Sequence, residues 1–327
     1  MATVKDIANR AGYSPSTVSI VLNGKSDERK IPEATRQKIW EAAGELGYRP
    51  NISAKRLRSS GRNILYVAVY WTSDSRSGYM NRFLVGLRQK AIQMSQRVEF
   101  VVKPYERLEE SFDGSAMYHA AIVCNASKED LEYLESLEAD IPVVLYNRCS
   151  EKYDSVEIDY ESMGQMAVEI FREQGSERIA FLSAKTGYPV RISLEDSLRK
   201  EAEKYGIEIW NRPVQNMRDS VEAVEELIRE RPDIRVVFTA SSNFSFAVLN
   251  ALLRKGIRIP EDYRLLGVGS GDPDMEEYAM VPISALQIPR EDMAGMCLEM
   301  ALTGSPYGKQ KGIERLVPAV YRKRKSC

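Results

Sequence analysis

The stretch DIANRAGYSPSTVSIVLNG, from Asp6 to Gly24, decides the fold of the N-terminal segment. Before Gly12, apolar residues recur at the i, i+3, i+4, i+7 spacing of an amphipathic helix. Gly12 permits a tight turn, and Ser14 followed by Pro15 is typical of the first residues of a second helix. Two short helices separated by a glycine turn predict a helix-turn-helix unit, which places its second helix in the major groove of DNA.

A third helix is predicted to begin near Pro32, to turn Ile39, Ala43 and Leu46 inward, and to end at Gly47. In the second helix, the outward positions carry small groups and one apolar side chain, which allow close approach to base edges. These positions are Pro15, Ser16, Thr17, Ser19 and Ile20. A three-helix module that binds another protein would show the same spacing, so the spacing alone leaves both interpretations open.

Residues 49–62, RPNISAKRLRSSGR, form a linker with five basic residues and no acidic one. Pro50 and the Ser59-Ser60-Gly61 sequence bracket a segment of one or two helical turns at 51–58. This composition predicts a linker that becomes ordered in contact with a partner.

The formal net charge of −1 hides an asymmetry along the chain. Residues 1–62 carry twelve basic against six acidic residues, and the remaining residues carry 34 against 41. A basic head on an acidic body is typical of a nucleic-acid-binding head joined to a body that handles a ligand.

From Ile64 onward, short apolar strands alternate with amphipathic helices, which predicts parallel α/β sheets with right-handed crossovers. Strands are predicted at 64–71, 98–103, 120–124, 142–146, 179–183, 235–239 and 263–268. Helices are predicted near 79–95, 128–137, 160–174, 193–205, 219–231, 243–256 and 290–303. A body of about 265 residues exceeds one hydrophobic core, so we expect two α/β lobes.

Several classes of function are disfavoured by the residue inventory. The chain has a single histidine, His119, and four scattered cysteines, so we expect no metal site and no cofactor. The sequence GSPYGK, from Gly304 to Lys309, lacks the serine or threonine of a phosphate-binding loop, and no catalytic constellation is present. We therefore expect a protein that is not an enzyme.

The N-terminal residues and the apolar runs bear on localisation. MATVKDIANRAGYS is charged and has no apolar segment of the kind that a signal peptide requires. The run from Ile64 to Trp71 is far shorter than the roughly 20 residues that span a bilayer. We expect a cytoplasmic protein with reduced thiols and no membrane partner.

The N-terminal segment resembles the headpiece of the LacI/GalR family of bacterial repressors. The resemblance lies in Asp6-Ile7-Ala8, Ala11-Gly12, Ser14, Thr17-Val18-Ser19, Asn23-Gly24, Thr35-Arg36, the run from Leu46 to Asn51, Ala54 and Leu57. It implies a homodimer that binds double-stranded DNA at a roughly palindromic operator.

The resemblance also implies roles for individual residues. The base-reading positions are Pro15, Ser16 and Ile20, and the residues that contact the DNA backbone are Thr17, Ser19, Asn23 and Tyr48. A hinge helix at 51–58 would enter the minor groove with Ala54, Lys55, Arg56, Leu57 and Arg58. Leu57 stands where the family inserts an apolar wedge, although a contact between linker and body is an alternative. Many members carry a polar or basic residue at the position of Ile20, so we expect a different operator sequence.

The body resembles the periplasmic-binding-protein-like (type I) fold of the same family, with two doubly wound parallel-sheet lobes. The matching segments are Ile141–Arg148, Val156–Gly164, Gly175–Ser183, Gly256–Gly269 and Gln287–Arg290. The implied organisation is an all-α helix-turn-helix headpiece at 1–48, a hinge at 49–62 and a body at 63–327. Within the body we expect an N-lobe at about 63–159 plus 290–312 and a C-lobe at about 160–289 plus 313–327.

A small-molecule effector is expected between the lobes, because ligands of such sheets bind at the carboxyl ends of the strands. The predicted contacts are Tyr70, Trp71, Ser73, Tyr79, Met80, Asn147, Arg148, Arg191, Ser242, Asn243, Phe244 and Ser270. For each of them, core packing or solvation in a loop is an equally good interpretation.

The cleft departs from the pattern of sugar-responsive members. Ser242 and Gly269 stand where those members place acids. The usual arginine falls near Ser193, two residues after Arg191. We therefore expect an effector other than a simple sugar, or no ligand.

Together these features predict a ligand-modulated, sequence-specific DNA-binding regulator of transcription, in the manner of a repressor. The alternative is a solute-binding protein for transport, which would share the body. Such a protein would need a signal peptide and would not need residues 1–62.

Overall fold

The computed structural model describes residues 4–22, 29, 31–46, 64–72, 79–114, 117–184, 192–269, 272–304 and 312–327. The chain divides into two compact units, with the boundary between Ile64 and Leu65. No helix in the described ranges is long and apolar enough to cross a membrane.

In its described residues, the N-terminal unit contains three helices, α1 at Val4–Ala11, α2 at Pro15–Leu22 and α3 at Glu33–Glu45. Gly12 has a positive φ of 76°, which a glycine adopts without strain and which reverses the chain after α1. The Ser14 hydroxyl then accepts a hydrogen bond of 3.1 Å from the backbone N–H of Thr17, so it caps α2. The local signals in the sequence therefore produce the predicted helix-turn-helix geometry.

The core of this unit is small and contains fully buried Ile7, Val18 and Ile39. Ala43 is buried as predicted, whereas Leu46 is 37% exposed and does not turn inward. The prediction for Leu46 was wrong because Leu46 lies just after α3, beyond Ala43, the last residue of this helix in the described core, although its N–H still donates to the Ala42 carbonyl at 3.2 Å. Ala42, three residues after Ile39 and so on the same side of the helix, is buried instead.

The first lobe of the body is built from β1, α4, β2, β3, α5, β4 and β5. Their bounds are Ile64–Thr72, Met80–Gln93, Arg97–Tyr105, Ala120–Cys124, Lys128–Ser136, Val143–Tyr146 and Asp154–Ile158. A short 3₁₀ helix at Leu108–Glu110 lies between β2 and β3.

The second lobe contains α6, β6, α7, β7, α8, β8, α9, β9, α10 and β10. Their bounds are Tyr160–Glu173, Arg178–Ala184, Leu194–Lys204, Glu208–Val214, Met217–Glu230, Val236–Thr239, Ser242–Arg254, Arg264–Gly269, Pro273–Glu277 and Ser284–Gln287. The chain then continues with α11 at Arg290–Thr303, β11 at Glu314–Val317 and β12 at Val320–Arg322.

The described part of the body contains two six-stranded sheets, with strand orders β11-β5-β4-β3-β1-β2 and β12-β10-β9-β8-β6-β7. In the first sheet β1, β3, β4, β5 and β11 run parallel. In the second sheet β7, β6, β8, β9 and β10 run parallel, and β12 is antiparallel to β10. These sheets, with helices between the strands, confirm the predicted two-lobe α/β class.

The last point at which the chain crosses from one lobe to the other lies later in the sequence than predicted. Residues 313–317 were assigned to the C-lobe, but β11 pairs with β5 of the first sheet. The chain reaches the second sheet only at β12, where Val320 pairs with Gln287. The boundary was misplaced because β11 has only four residues and is largely exposed, so it shows no apolar run.

All seven predicted strands are present, but the described ranges hold five further strands that were missed: β5, β7, β10, β11 and β12. The sequence of β7, EIWNRPV, is polar because it forms an edge of its sheet, and only its last residue is buried. The other four have three to five residues each, too few to show a periodicity.

Candidate DNA-binding face and effector cleft

The second helix of the N-terminal unit presents the side chains predicted to face DNA. Pro15 and Ser16 are exposed, and Thr17, Ser19 and Ile20 are half-buried. The opposite side of α2 carries Val18 and Val21, which are buried against the other helices. The face of α2 thus offers small polar groups next to one apolar side chain. The assignment of these residues to bases or to backbone remains a prediction.

Other predicted DNA contacts lie outside the described residues. They are Asn23, Tyr48, Ala54, Lys55, Arg56, Leu57 and Arg58.

Three hydroxyl groups form a cluster at the start of α2. The Ser14 Oγ lies 2.8 Å from the Ser16 Oγ and 2.8 Å from the Thr17 Oγ1. With the N–H of Thr17, the Ser14 hydroxyl therefore has three hydrogen-bond partners.

In the body, Trp71 lies near the carboxyl end of β1 and is buried. Its ring centre is 5.3 Å from that of Phe83 and 6.2 Å from that of Tyr146. The indole Nε1 is buried and has no hydrogen-bond partner among the described residues. An unsatisfied buried donor is uncommon, so it marks a place where a ligand or a water would bind.

An arginine at the start of α11 joins the aromatic residues of this edge. The Nη1 of Arg290 donates a hydrogen bond of 2.8 Å to the Tyr146 hydroxyl, and its guanidinium lies 4.4 Å from the ring centre of Tyr79. Burial raises the pKa of Tyr146 to about 12 despite the nearby Arg290, so this phenol stays protonated. Burial likewise raises the pKa of Tyr160, against the opposing charges of Arg290 and Arg148.

Arg148, predicted as an effector contact, holds together the two turns that follow β3 and β4. Its Nε donates to the carbonyl of Ala126 at 2.6 Å, its Nη2 to that of Asn125 at 3.3 Å and its Nη1 to that of Asn147. Asn125 and Asn147 both have a positive φ, a conformation that asparagine tolerates better than most residues. The buried guanidinium therefore shapes the edge of the first sheet.

Tyr70 faces away from Trp71, so the two residues do not line one site. Its ring lies 5.1 Å from that of Phe112, on the opposite side of the sheet from the Trp71 cluster. It lines a separate cavity of about 120 Å³ with Lys103, Tyr118 and neighbouring residues. Grouping Tyr70 with Trp71 was wrong because successive side chains of a strand point to opposite faces.

At the carboxyl edge of the second sheet, a carboxylate that the sequence did not indicate meets Ser242. The Ser242 hydroxyl donates a hydrogen bond of 2.5 Å to Oε1 of Glu276, which is only 1% exposed. Oε2 of Glu276 and Oε1 of Gln287 are buried without a hydrogen-bond partner among the described residues. Gly269 provides room for Gln287, because a Cβ there would lie 2.2 Å from that Oε1.

The remaining predicted cleft residues differ in their surroundings. Phe244 is buried in the core of the second lobe, and Asn243 is exposed. Tyr79 and Met80 are half-buried against the core cluster that contains Trp71. Ser73, Arg191 and Ser270 lie outside the described residues.

Comparison with known proteins places both units in one family. Residues 3–51 match the model of bacterial regulatory proteins of the lacI family, and residues 168–327 match a periplasmic binding protein-like domain. The chain belongs to the lacI family. This LacI-family regulator is 27% identical to the HTH-type transcriptional regulator GalS of Salmonella typhimurium, over 93% of the chain and 90% of GalS.

Another relative and two solved structures agree with this assignment. The HTH-type transcriptional repressor PurR of Vibrio atlanticus is 27% identical over 92% of the chain and 91% of that protein. A LacI family transcription regulator from Clostridium acetobutylicum superposes with a TM-score of 0.72 and 26% identity, covering 79% of this chain and 100% of that one. The lac repressor dimer bound to operator shares the fold, with a TM-score of 0.64 and 19% identity over 99% and 98% of the two chains.

These relatives confirm the sequence-based prediction of a DNA-binding transcription regulator, and they belong to a family without enzymatic activity. Regulators of this family bind operator DNA and effector ligands. Nothing in the comparisons favours a solute-binding protein for transport.

Glu276 is the residue that sequence reasoning missed at this edge. The sequence showed no acid at Ser242 or Gly269, yet the LacI-family regulator brings a carboxylate to Ser242 from a helix 34 residues further along the chain. No local pattern marks Glu276, because the segment PDMEE contains several acids and only packing shows which one is buried.

Glu276→Gln is expected to stabilise the body at neutral pH. Burial raises the pKa of Glu276 above its ordinary value near 4.5, despite the Ser242 hydrogen bond. Because the folded state binds this proton more tightly than the unfolded state, stability falls as the pH rises from about 4.5 through the folded pKa. Glutamine resembles the neutral carboxyl, so its advantage should be largest above that range and vanish below it.

Thermal unfolding of the two proteins between pH 4 and pH 8 tests this expectation. Glu277→Gln is the matched control, since Glu277 is 55% exposed and pairs with Arg324 at 2.6 Å. It should give no such gain in stability with rising pH. Parallel curves for Glu276→Gln and the parent protein would contradict the burial of an ionised carboxylate.

Proposed function

We propose that this LacI-family regulator is a repressor that binds a roughly palindromic operator as a homodimer. The observation that carries the proposal is the lacI-type helix-turn-helix, whose α2 exposes Pro15 and Ser16 beside half-buried Ile20. Small side chains let the helix approach base edges closely, and Ile20 can contact a thymine methyl group. The basic character of residues 1–62 supports attraction to phosphate.

The linker is proposed to act as a hinge in the minor groove. Lys55, Arg56 and Arg58 would neutralise phosphates, while Leu57 would enter a base step and kink the duplex. Such a hinge would fold on the operator and make binding dependent on how the two hinges of a dimer approach each other.

A dimer is supported by three exposed apolar side chains that lie close together in the sequence of the second lobe, those of Met275, Tyr278 and Met280. Their exposed fractions are 57%, 83% and 84%. Tyrosine and methionine are enriched in the centres of protein interfaces, and exposed apolar patches mark such surfaces. A second copy is the partner that two half-sites of a palindrome require.

The effector is proposed to bind between the carboxyl edges of the two sheets. Support comes from three buried atoms without partners among the described residues, the Nε1 of Trp71, the Oε2 of Glu276 and the Oε1 of Gln287. A ligand that accepts a hydrogen bond from the Trp71 Nε1 and donates hydrogen bonds to the two oxygens would satisfy all three atoms. The sequence disfavours a simple hexose, because Ser242 and Gly269 replace the usual acids, but the carboxylate that Glu276 brings to Ser242 weakens that argument.

Regulation would follow from a change in the relative angle of the lobes. An effector that prefers one lobe arrangement shifts the population of the dimer towards it, and so changes the stability of the hinges on DNA. A coupling free energy of about 1–3 kcal/mol is sufficient for a useful switch.

Selection of DNA by the purified protein, with and without candidate metabolites, tests the function. We expect enrichment of a palindromic sequence bound by two chains, and a change in its affinity when the effector is present. A failure to enrich any sequence would refute the proposal. Enrichment that no metabolite changes would leave an operator-binding protein and refute the proposed effector control.

Within this function, Leu57→Ala should weaken operator binding by about tenfold, roughly 1.4 kcal/mol, and reduce the bend, because the wedge is lost. Lys55→Ala is the matched variant, since it should weaken binding to all sequences and lower the salt slope by about one unit. Mobility shift with circularly permuted operator fragments measures both affinity and bend. Unchanged affinity and bend in Leu57→Ala would refute the role of Leu57 as a wedge.

A further inference from the structure

The hydroxyl cluster of α2 constrains what Ser16 can recognise. The Ser14 Oγ accepts a hydrogen bond from the N–H of Thr17, which occupies one of its two lone pairs. Its two contacts of 2.8 Å to Ser16 and Thr17 then share the remaining lone pair and the single proton. Ser14 must therefore donate to one of these hydroxyls and accept from the other.

The phosphate backbone decides between the two arrangements. Thr17 is assigned to the DNA backbone, and a phosphate oxygen only accepts hydrogen bonds, so Thr17 must direct its proton outward. It then has no proton for Ser14 and must accept one from it. Because the Ser14 hydroxyl already donates its proton to Thr17, Ser16 must be the donor in the contact between Ser14 and Ser16.

We infer that Ser16 presents only lone pairs to the major groove and therefore recognises the exocyclic amine of adenine or cytosine. Those amines are the hydrogen-bond donors that base pairs display there, whereas the N7, O6 and O4 atoms are acceptors. Ser14 is thus a positioning residue, which fixes the polarity of a base contact that it does not make. This inference rests on the proposed function, because it takes Ser16 to face a base and Thr17 to face a phosphate.

The test begins with the selected operator and locates the base that Ser16 contacts. The base pair at which Ser16→Ala changes the sequence preference identifies this position. There, adenine or cytosine is replaced by the analogue that lacks the exocyclic amine. In a separate duplex, the purine of that base pair is replaced by its 7-deaza form, which removes the N7 acceptor.

We expect loss of the amine to weaken binding of the parent protein by about fivefold, the effect of one net hydrogen bond. Ser16→Ala should be insensitive to the same change, because the variant has lost the acceptor, and this comparison cancels any effect on base pairing. The 7-deaza change should have no effect that depends on Ser16. The inferred polarity would be overturned if the 7-deaza base caused a loss of affinity that depends on Ser16 while the base without the amine caused none.

Thr17→Val provides a second, independent readout. Valine has nearly the shape of threonine, but it releases the Ser14 proton for Ser16, whose own proton can then point to the groove. Binding should weaken for all sequences, and the penalty for removing the amine should also fall. Thr17→Ser keeps a hydroxyl and should keep the full penalty, so it controls for helix stability.

The outcomes separate the two proposals. Absence of sequence-selective binding would refute the proposed function. Two other outcomes would refute the inferred role of Ser14 but leave the proposed function standing. One is selective binding in which Ser16→Ala alters the preference at no position. The other is selective binding in which Thr17→Val weakens binding without changing the penalty for removing the amine.

Discussion

Replacing Ile39 with alanine is expected to abolish operator binding while leaving the body folded. Ile39 is fully buried in a core that has only a few apolar members among the described residues of the N-terminal unit. Truncation of a buried isoleucine costs about 2–5 kcal/mol, whereas a domain of this size rarely has more than about 3–5 kcal/mol of stability. The headpiece of the variant should therefore be largely unfolded at 25 °C.

The measurements are operator affinity by mobility shift, protease sensitivity of the first sixty or so residues, and thermal unfolding of the body. Gln37→Ala is the control, because Gln37 lies on the exposed side of the same helix. It should bind the operator nearly as well as the parent protein. Normal operator binding by Ile39→Ala would mean that the headpiece does not depend on this core.

Gly86→Ala is expected to destabilise the body by about 1–3 kcal/mol through overpacking. At this glycine α4 crosses α11, and an added Cβ would lie 2.3 Å from the carbonyl oxygen and 2.5 Å from the Cα of Glu291. Both atoms belong to the backbone of α11, so the helices must move apart. This crossing carries Arg290, which contacts Tyr146 and Tyr79, so effector binding should also weaken.

Gly295→Ala is the matched control on the same helix pair. There an added Cβ would meet only the side chain of Lys90, at 3.4 Å or more. With no clash, alanine should instead stabilise the helix by roughly 0.5–1 kcal/mol. Chemical unfolding of both variants measures the contrast, and equal stabilities would show that the crossing is loose.

The headpiece was predictable because its signals act over a few residues. Gly12 reverses the chain and Ser14 caps α2 through contacts within three positions, so no distant partner is needed. The apolar spacing of Ile7, Val18 and Ile39 likewise shows which sides pack together. Leu46 was misassigned because the spacing of apolar residues does not show where a helix ends.

The cleft was less predictable because its residues come from distant parts of the chain. Tyr70 and Trp71 are adjacent in sequence, yet the pleat of β1 sends them to different cores. The sequence shows that Arg148 is charged, but it does not show that the guanidinium donates its hydrogen bonds to backbone carbonyls. Packing fixed both outcomes.

The sequence by itself determined the helix-turn-helix, the small side chains that α2 exposes and the alternation of strands and helices in the body. These follow from backbone preferences and from the periodic burial of apolar residues, which are local properties. The tertiary structure alone decided that β11 belongs to the first sheet and that Glu276 meets Ser242. The hydroxyl contacts of Ser14 with Ser16 and Thr17 are local as well, but apolar spacing does not show them. Hydrogen bonds and desolvation depend on which atoms meet in space, and several of these meetings join segments far apart in the sequence.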